Sequence, residues 1–199
     1  MGSDANRLRK KWQDYSGRKA AIAENSFYDV FVELFKDTEY VVTKHPQDFK
    51  DIYLNVELSD KELEDIYTPD VVIKKHGISP DLSIRNTETD KTIYIEVKRQ
   101  DGWIEGGERK DGRGNAHERS NKFFTPGLLK VLREKGNIDN DTLPFWLVFQ
   151  GNITRDPLRV REITLWYNGL DAHYFFWRNN GDPEPLIEHF LTKIKPIIG

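Results

Sequence analysis

Side chains alternate between two sets in residues 91–98, KTIYIEVK, and a β-strand is the structure that matches this alternation. Successive side chains of a strand point to opposite faces, so Ile93, Ile95 and Val97 share one face while Thr92, Tyr94, Glu96 and Lys98 share the other. Residues 82–85 predict a shorter strand, and residues 86–90 are rich in turn formers. We therefore predict a hairpin over residues 81–98 with an apolar back and a polar front.

The rest of the chain predicts an α/β fold. Strands are expected at residues 40–43, 82–85, 91–98, 145–150 and 173–177. Helices are expected at residues 20–35, 59–66, from about 115, at 125–136, at 156–166 and around 187–194. In the first helix Ile22, Phe27, Val30, Phe31, Leu34 and Phe35 form an apolar stripe. We predict a single domain, residues 1–199, with a central mixed five-stranded sheet flanked by helices on both faces.

Composition excludes several classes of function. The chain has no cysteine, which rules out disulfides, thiolate nucleophiles and cysteine-ligated zinc. No apolar run approaches the ~18 residues of a membrane span, and we expect a cytoplasmic protein. Net charge is −3, but residues 98–135 hold 10 basic and 6 acidic side chains. That basic segment suits a polyanion such as DNA, although a solvated charged face would look the same.

Two acids and a lysine on the predicted hairpin suggest catalysis. Asp81 lies at the head of one strand, and Glu96 and Lys98 share the polar front of the next. Because a hairpin returns on itself, Asp81 and Glu96 can converge on one Mg²⁺ ion, which accepts oxygen ligands. Such an ion can polarise a phosphodiester, and the ammonium of Lys98 can neutralise charge that develops on it. The alternative is an ordinary solvated strand face, because Glu-x-Lys is a common triplet.

A second polar motif lies in residues 112–120, GRGNAHERS. Arginine suits the O6 and N7 acceptors of guanine, and asparagine can pair with adenine, so Arg113 and Asn115 are candidates for reading bases. The small residues Gly114 and Ala116 would allow a close approach to base edges. A capped helix with a polar first turn is the alternative interpretation.

These motifs together resemble a known nuclease family. Pro80-Asp81 with Glu96-Val97-Lys98 matches the PD-(D/E)xK pattern, and residues 114–119, GNAHER, resemble the GNAxER motif of the EcoRI branch of restriction endonucleases. The runs KRQDGW, GRGNAHERS, FTPGLLK, LPFW and ITRDP are similar to the MunI/MfeI subgroup, and the similarity extends from about Trp12 to the C-terminus.

The resemblance implies a type II site-specific deoxyribonuclease with the restriction-endonuclease-like fold. It implies cleavage of CAATTG, leaving 5′ overhangs with 5′-phosphate and 3′-hydroxyl ends. Mg²⁺ would be held by Asp81, Glu96 and the backbone carbonyl of Val97, and Mn²⁺ is expected to substitute. The protein would be a homodimer, because a palindrome is two-fold symmetric. A DNA methyltransferase protecting host sites is implied genetically.

The same resemblance assigns roles within residues 99–124, the predicted recognition loop and helix. Asn115, Ala116 and Arg119 match positions that read the inner A·T pairs, and Arg113 matches the position that reads the outer C·G pair. Glu118 and Arg119 match positions that join the subunits across the dyad.

Other residues are assigned from their chemistry. Arg99, Arg109 and Lys122 are predicted phosphate contacts. His117 could act as a general base, but a phosphate contact or structural role is favoured. Glu24 could orient a catalytic water, but a plain surface position is favoured.

Two further classes of function remain open on the sequence. One is a repair or junction-resolving nuclease of the same fold, and the other is a non-catalytic DNA-binding regulator.

Overall fold

The computed structural model describes residues 21–66, 73–108, 115 and 117–199. Its five strands are β1 (Tyr40–Lys44), β2 (Leu82–Asn86), β3 (Thr92–Gln100), β4 (Phe145–Gly151) and β5 (Tyr174–Trp177). They form one sheet in chain order, in which β1, β2 and β3 are antiparallel neighbours and β3, β4 and β5 are parallel neighbours. The predicted mixed five-stranded sheet is confirmed.

Helices cover both faces of this sheet. They are α1 (residues 21–34), α2 (Asp60–Asp65), α3 (Pro126–Gly136), α4 (Pro157–Trp166), α5 (Glu184–His189) and α6 (Lys195–Ile198). A π-helical stretch, Phe190–Ile194, joins α5 to α6, and 3₁₀ helices occur at Gln47–Phe49, Glu118–Phe124 and Asn152–Thr154. Within the described ranges, no helix has the length and apolar character needed to cross a membrane.

The first face of the sheet packs against α1 and the C-terminal helices. Phe27 and Phe31 of α1 lie edge-on to Trp146 of β4, with ring centroids 5.5 and 5.9 Å apart. The predicted stripe was wrong at Ile22, which is 54% exposed, because Ala23 turns inward in its place. Ala23, Phe27 and Phe31 are spaced four residues apart and therefore lie on one side of the helix.

The second face of the sheet is also buried, which corrects the predicted polar front of β3. Thr92 and Tyr94 are buried, and the Tyr94 ring lies 4.7 Å from that of Phe49. The reason is the close approach of α3, since a Cβ on Gly136 would lie 2.5 Å from the Thr92 carbonyl oxygen. Polar chemistry on this face is therefore confined to the end of β3 that carries Glu96 and Lys98.

Side chains cap α2 and α4, whereas Thr125, before α3, makes no side-chain cap hydrogen bond. Ser59 and Glu62 form a capping box at the start of α2, and Asp156 accepts hydrogen bonds from the first turn of α4. Gly136 remains helical, and Asn137 takes the left-handed conformation that ends α3, with φ of 51°.

Candidate active site

Strand register brings Asp81 and Glu96 together. Leu82 pairs with Ile95, so Asp81 lies one residue before β2 at the position opposite Glu96. Directly opposed residues of an antiparallel pair point to the same face with their Cβ atoms about 5 Å apart. A hydrogen bond from the Val97 amide to Asp81 Oδ2, 2.7 Å long, fixes the Asp81 carboxylate against β3.

Lys98 contacts both carboxylates. Its ammonium donates to Glu96 Oε1 and lies 3.9 Å from Asp81 Oδ2. Lys98 is two residues beyond Glu96 on β3, so both side chains leave the strand on one face. All three side chains are at most 16% exposed, which means that water screens their charges weakly.

The two acids perturb each other. Burial, first, and the nearby charge of Glu96 raise the pKa of Asp81 to about 7. Lys98 and the Val97 amide act in the opposite direction on the same pKa, and Glu24 adds to the increase. A carboxyl pKa raised this far is expected where two like charges share a buried site.

The donor set fits a hard divalent cation. Glu96 Oε2 is buried without a hydrogen-bond partner in the described part of the chain, although a buried carboxylate oxygen normally has one. No group of three or more His, Cys, Asp or Glu side chains within residues 21–66, 73–108, 115 and 117–199 is arranged as a metal site. Mg²⁺ needs only one or two carboxylates, with water and substrate phosphate as its further ligands. Asp81 and Glu96 therefore fit Mg²⁺ and do not resemble a zinc centre.

Glu24 lies beside this acid pair, which corrects the surface position favoured from sequence. Its side chain is 21% exposed, and its Oε2 lies 3.9 Å from His45 Nε2. Burial raises the pKa of Glu24; the charges of His45 and then Lys98 lower it, and that of Glu96 raises it. Glu24 therefore interacts electrostatically with two of the catalytic candidates, Glu96 and Lys98.

Sequence reasoning missed His45. Its amide donates to the Asp81 carbonyl oxygen over 2.9 Å, and its φ is 46°. Lys44 pairs with Leu82 in the β1–β2 register, which puts the following residue, His45, opposite Asp81. The pairing of β1 with β2 would have been the signal, but no local motif in the sequence shows it.

The predicted phosphate contacts fall in different settings. Arg99 Nε donates to Asp101 Oδ2 over 2.8 Å, while Lys122 lies on an exposed stretch with its ammonium 5.0 Å from the Phe123 ring centroid. Three candidates lie outside the described residues: the phosphate contact Arg109 and the base-reading residues Arg113 and Ala116.

Residues 115 and 117–124, called the recognition segment below, are the last described part of the predicted recognition loop and helix. They contain a 3₁₀ helix, Glu118–Phe124, where an α-helix starting near Asn115 was expected. The Asn115 side chain donates to Glu118 Oε2 over 2.8 Å, and its carbonyl accepts the Glu118 amide over 3.0 Å. Asn115 therefore braces Glu118 and does not cap free amides of a longer helix. Asn115, Glu118 and Arg119 are all exposed.

His117 is completely buried between these exposed neighbours. Its Nε2 lies 3.2 Å from Arg159 Nη1 and 3.3 Å from Glu162 Oε2, and its ring stacks on Trp166. Burial, first, and Arg159 lower the pKa of His117. An imidazole enclosed in this way has no path to a substrate proton, so the general-base interpretation is not supported and a structural role remains.

Three comparisons with known proteins agree. The family model described as type II restriction enzyme MunI matches residues 1–199. The type II restriction enzyme MunI of Mycoplasma sp is 49% identical over 198 residues, 98% of each chain. The crystal structure of MunI restriction endonuclease in complex with cognate DNA matches with a TM-score of 0.81 and 48% identity, over 94% of this chain and 97% of that one. The chain therefore belongs to the MunI family of type II restriction enzymes, which are site-specific deoxyribonucleases.

Proposed function

We propose that this protein hydrolyses both strands of duplex DNA at CAATTG, leaving 5′ overhangs with 5′-phosphate and 3′-hydroxyl ends. The observation that carries the proposal is the meeting of Asp81, Glu96 and Lys98 at one end of the β2–β3 hairpin in a chain of the MunI family. The solved MunI relative is a complex with its cognate DNA, which supports DNA as the substrate.

The catalytic roles follow from the chemistry of each group. Asp81, Glu96 and the carbonyl oxygen of Val97 would hold Mg²⁺, or Mn²⁺ in its place, and the metal supplies polarisation of the scissile phosphate when bound. The Lys98 ammonium would donate to the attacking water and to a phosphate oxygen. Attack of water on phosphorus breaks the bond to the 3′ oxygen, which leaves as the hydroxyl end.

Metal binding would also reorganise the three side chains. Lys98 currently donates to Glu96 Oε1, one of the oxygens that a metal would need. The ammonium would then turn toward the phosphate, while Asp81 keeps its hydrogen bond from the Val97 amide. Glu96 Oε2, buried without a partner within the described ranges, would be available to the cation at once, whereas Oε1 would first have to lose its hydrogen bond from Lys98.

The recognition roles are part of the same proposal. Asn115, Ala116 and Arg119 would read the inner A·T pairs, and Arg113 the outer C·G pair, by hydrogen bonds to base edges. In a homodimer, Glu118 and Arg119 would also contact the second subunit across the dyad, so that one contact set reads each half-site.

Affinity and cellular context complete the proposal. Arg99, Arg109 and Lys122 would contact phosphates; for Arg99 this requires exchanging its contact with Asp101 for one with DNA. A methyltransferase protecting host CAATTG sites is expected as the genetic partner. The cytoplasmic location stays a prediction from the sequence.

The test is digestion of a plasmid that contains one CAATTG site, with Mg²⁺ and then with Mn²⁺, followed by sequencing of the released ends. We expect one linear product with AATT in the overhang, and no product in EDTA. A smear, or cutting confined to branched DNA, would support the junction-resolving alternative and overturn the proposal. Binding without any cleavage would support the regulator alternative instead.

A further inference from the structure

We propose that His117 is a positioning residue for sequence recognition, which docks the recognition segment onto one face of α4 through Arg159, Glu162 and Trp166. This inference rests on the proposed reading of bases by Asn115 and Arg119. It assigns a role in sequence specificity to side chains of α4 that would not contact the bases themselves.

Burial of His117 is the first observation. The side chain is 0% exposed, whereas Asn115, Glu118 and Arg119 around it are exposed. Ser120 and Phe123 are buried as well, so His117 anchors the N-terminal end of the segment, next to Asn115 and Arg119, and Phe123 anchors the C-terminal end. The His117 carbonyl also accepts Ser120 Oγ over 2.6 Å, which ties the enclosed residue to the turn that follows.

The docking partners lie on one side of a single helix. Arg159, Glu162 and Trp166 are spaced by three and four residues, so they occupy one face of α4. The His117 and Trp166 rings are nearly parallel, with centroids 5.2 Å apart and an interplanar angle of 7°. Arg159 Nη1 also donates to Glu162 Oε2 over 2.7 Å, so the polar partners brace each other.

The polar contacts suit either neutral form of the imidazole. With the proton on Nδ1, His117 Nε2 accepts from Arg159 Nη1, 3.2 Å away; with the proton on Nε2, the same atom donates to Glu162 Oε2, 3.3 Å away. The groups around the ring are the cation of Arg159 and the carboxylates of Glu162 and Glu118. Few side chains other than histidine can stack a flat ring on Trp166 and also offer a ring nitrogen to Arg159 and Glu162.

The position of the His117 ring affects where the side chains that would contact DNA bases lie. Arg119 is two residues beyond His117 and Asn115 two residues before it, so a shift of the enclosed ring moves both exposed side chains. Hydrogen bonds to base edges weaken steeply when their angle or distance changes. Contacts to phosphates, such as that expected of Lys122, tolerate a shift better because they depend mainly on charge.

The test uses variants of α4 that leave every proposed catalytic and base-reading residue unchanged. Trp166→Ala removes the stacking surface at a side chain that is 39% exposed, Trp166→Phe restores an aromatic ring, and Thr164→Ala changes an exposed residue on another side of the same helix. The measurement is kcat/KM on CAATTG and on sites with one base pair changed, together with Kd for random DNA and thermal unfolding.

We expect Trp166→Ala to lower the ratio of cognate to altered-site kcat/KM by roughly ten- to a hundredfold, since small misplacements in a site have effects of this size. Its Kd for random DNA should stay within about twofold, as binding there depends on charge. Trp166→Phe should recover most of the ratio, and Thr164→Ala should equal the wild type. His117→Gln, which keeps an acceptor but not the ring, should resemble Trp166→Ala.

Different results separate the two proposals. A wild-type enzyme that does not prefer CAATTG overturns the proposed function. A selective wild type with an unchanged ratio in a folded Trp166→Ala variant overturns the positioning role alone. Equal loss on cognate, altered and random DNA, without rescue by phenylalanine, would also overturn it, because that pattern belongs to general destabilisation.

Discussion

The acid pair of the β2–β3 hairpin and the recognition segment, residues 115 and 117–124, are held in place by different means. Asp81 and Glu96 are set opposite each other by strand register, and a main-chain amide fixes the Asp81 carboxylate. In the recognition segment, Glu118–Phe124 forms a 3₁₀ helix, and His117, directly before it, contacts α4 through side chains. Phe123 and Phe124 pack the C-terminal end of the segment against Phe145, whereas the placement of its other end depends on a few side-chain contacts of His117 that single substitutions can remove.

This difference predicts two kinds of variant. Changes at the hairpin should remove chemistry and leave binding intact, because the main chain keeps its shape. Changes at the recognition segment should alter the choice of DNA sequence and leave the chemistry intact. The following predictions test that separation.

The largest effect is expected for Glu96→Gln. The amide has almost the same shape as the carboxylate but no charge, so it loses the affinity for a divalent cation that carboxylates provide. Cleavage of CAATTG should fall by on the order of a thousandfold or more, since metal ions contribute several kcal/mol to such transition states. Gel-shift binding to a CAATTG duplex in EDTA should remain. Glu88→Gln, an exposed residue in the same hairpin's turn, is the matched control and should cleave normally.

An intermediate effect is expected for Arg119→Lys. Lysine keeps the charge but cannot form the two parallel hydrogen bonds of a guanidinium. Discrimination should fall by about 1–3 kcal/mol per affected base pair, measured as relative cleavage of CAATTG and its single-base variants. Lys122→Ala is the comparison, because losing a phosphate contact should weaken binding to all sequences alike and reduce its salt dependence. Equal behaviour of the two variants would contradict the assigned roles.

A smaller effect is expected from pH. Burial and Glu96 raise the pKa of Asp81 to about 7, and Mg²⁺ must displace that proton. The Mg²⁺ concentration for half-maximal cleavage should therefore fall about tenfold per unit as pH rises toward 7 and level off above it. The same raised pKa means that the free energy of unfolding of the metal-free protein decreases as pH rises from about 4 to 7. Over this range the folded chain holds a proton on Asp81 that the unfolded chain releases. The positions of cleavage should not change with pH, and an Mg²⁺ requirement that does not vary between pH 6 and 8 would contradict the assignment.

The strands were predictable because each depends on the pattern of apolar and polar residues over a few neighbouring positions. The alternation of residues 91–98 and the apolar run at residues 145–150 predicted β3 and β4 to within two residues at each end. Since register follows from the strands and the turn between them, the spacing of Asp81 and Glu96 already indicated that they could meet. The polar front was predicted too far toward the start of β3, because burial by α3 is not visible in the strand itself.

Residues brought together from distant parts of the chain were not predictable in the same way. Glu24, on α1, is electrostatically coupled to Glu96 and Lys98 although α1 packs on the other face of the sheet, and His45 reaches Asp81 through the pairing of β1 with β2. His117 and Trp166 are 49 residues apart, and their stacking depends on where α4 lies. No single-sequence pattern encodes these distances.

The sequence alone was sufficient for the strands, the hairpin, the Asp81–Glu96–Lys98 motif and the resemblance to a restriction endonuclease, because local alternation and short spacings control them. Only the tertiary structure decided that both faces of β3 are covered, that Glu24 and His45 adjoin the acids, and that α4 holds the recognition segment. The physical reason is that backbone conformation depends on neighbours along the chain, whereas burial and electrostatic coupling depend on which surfaces pack together once the whole chain has folded.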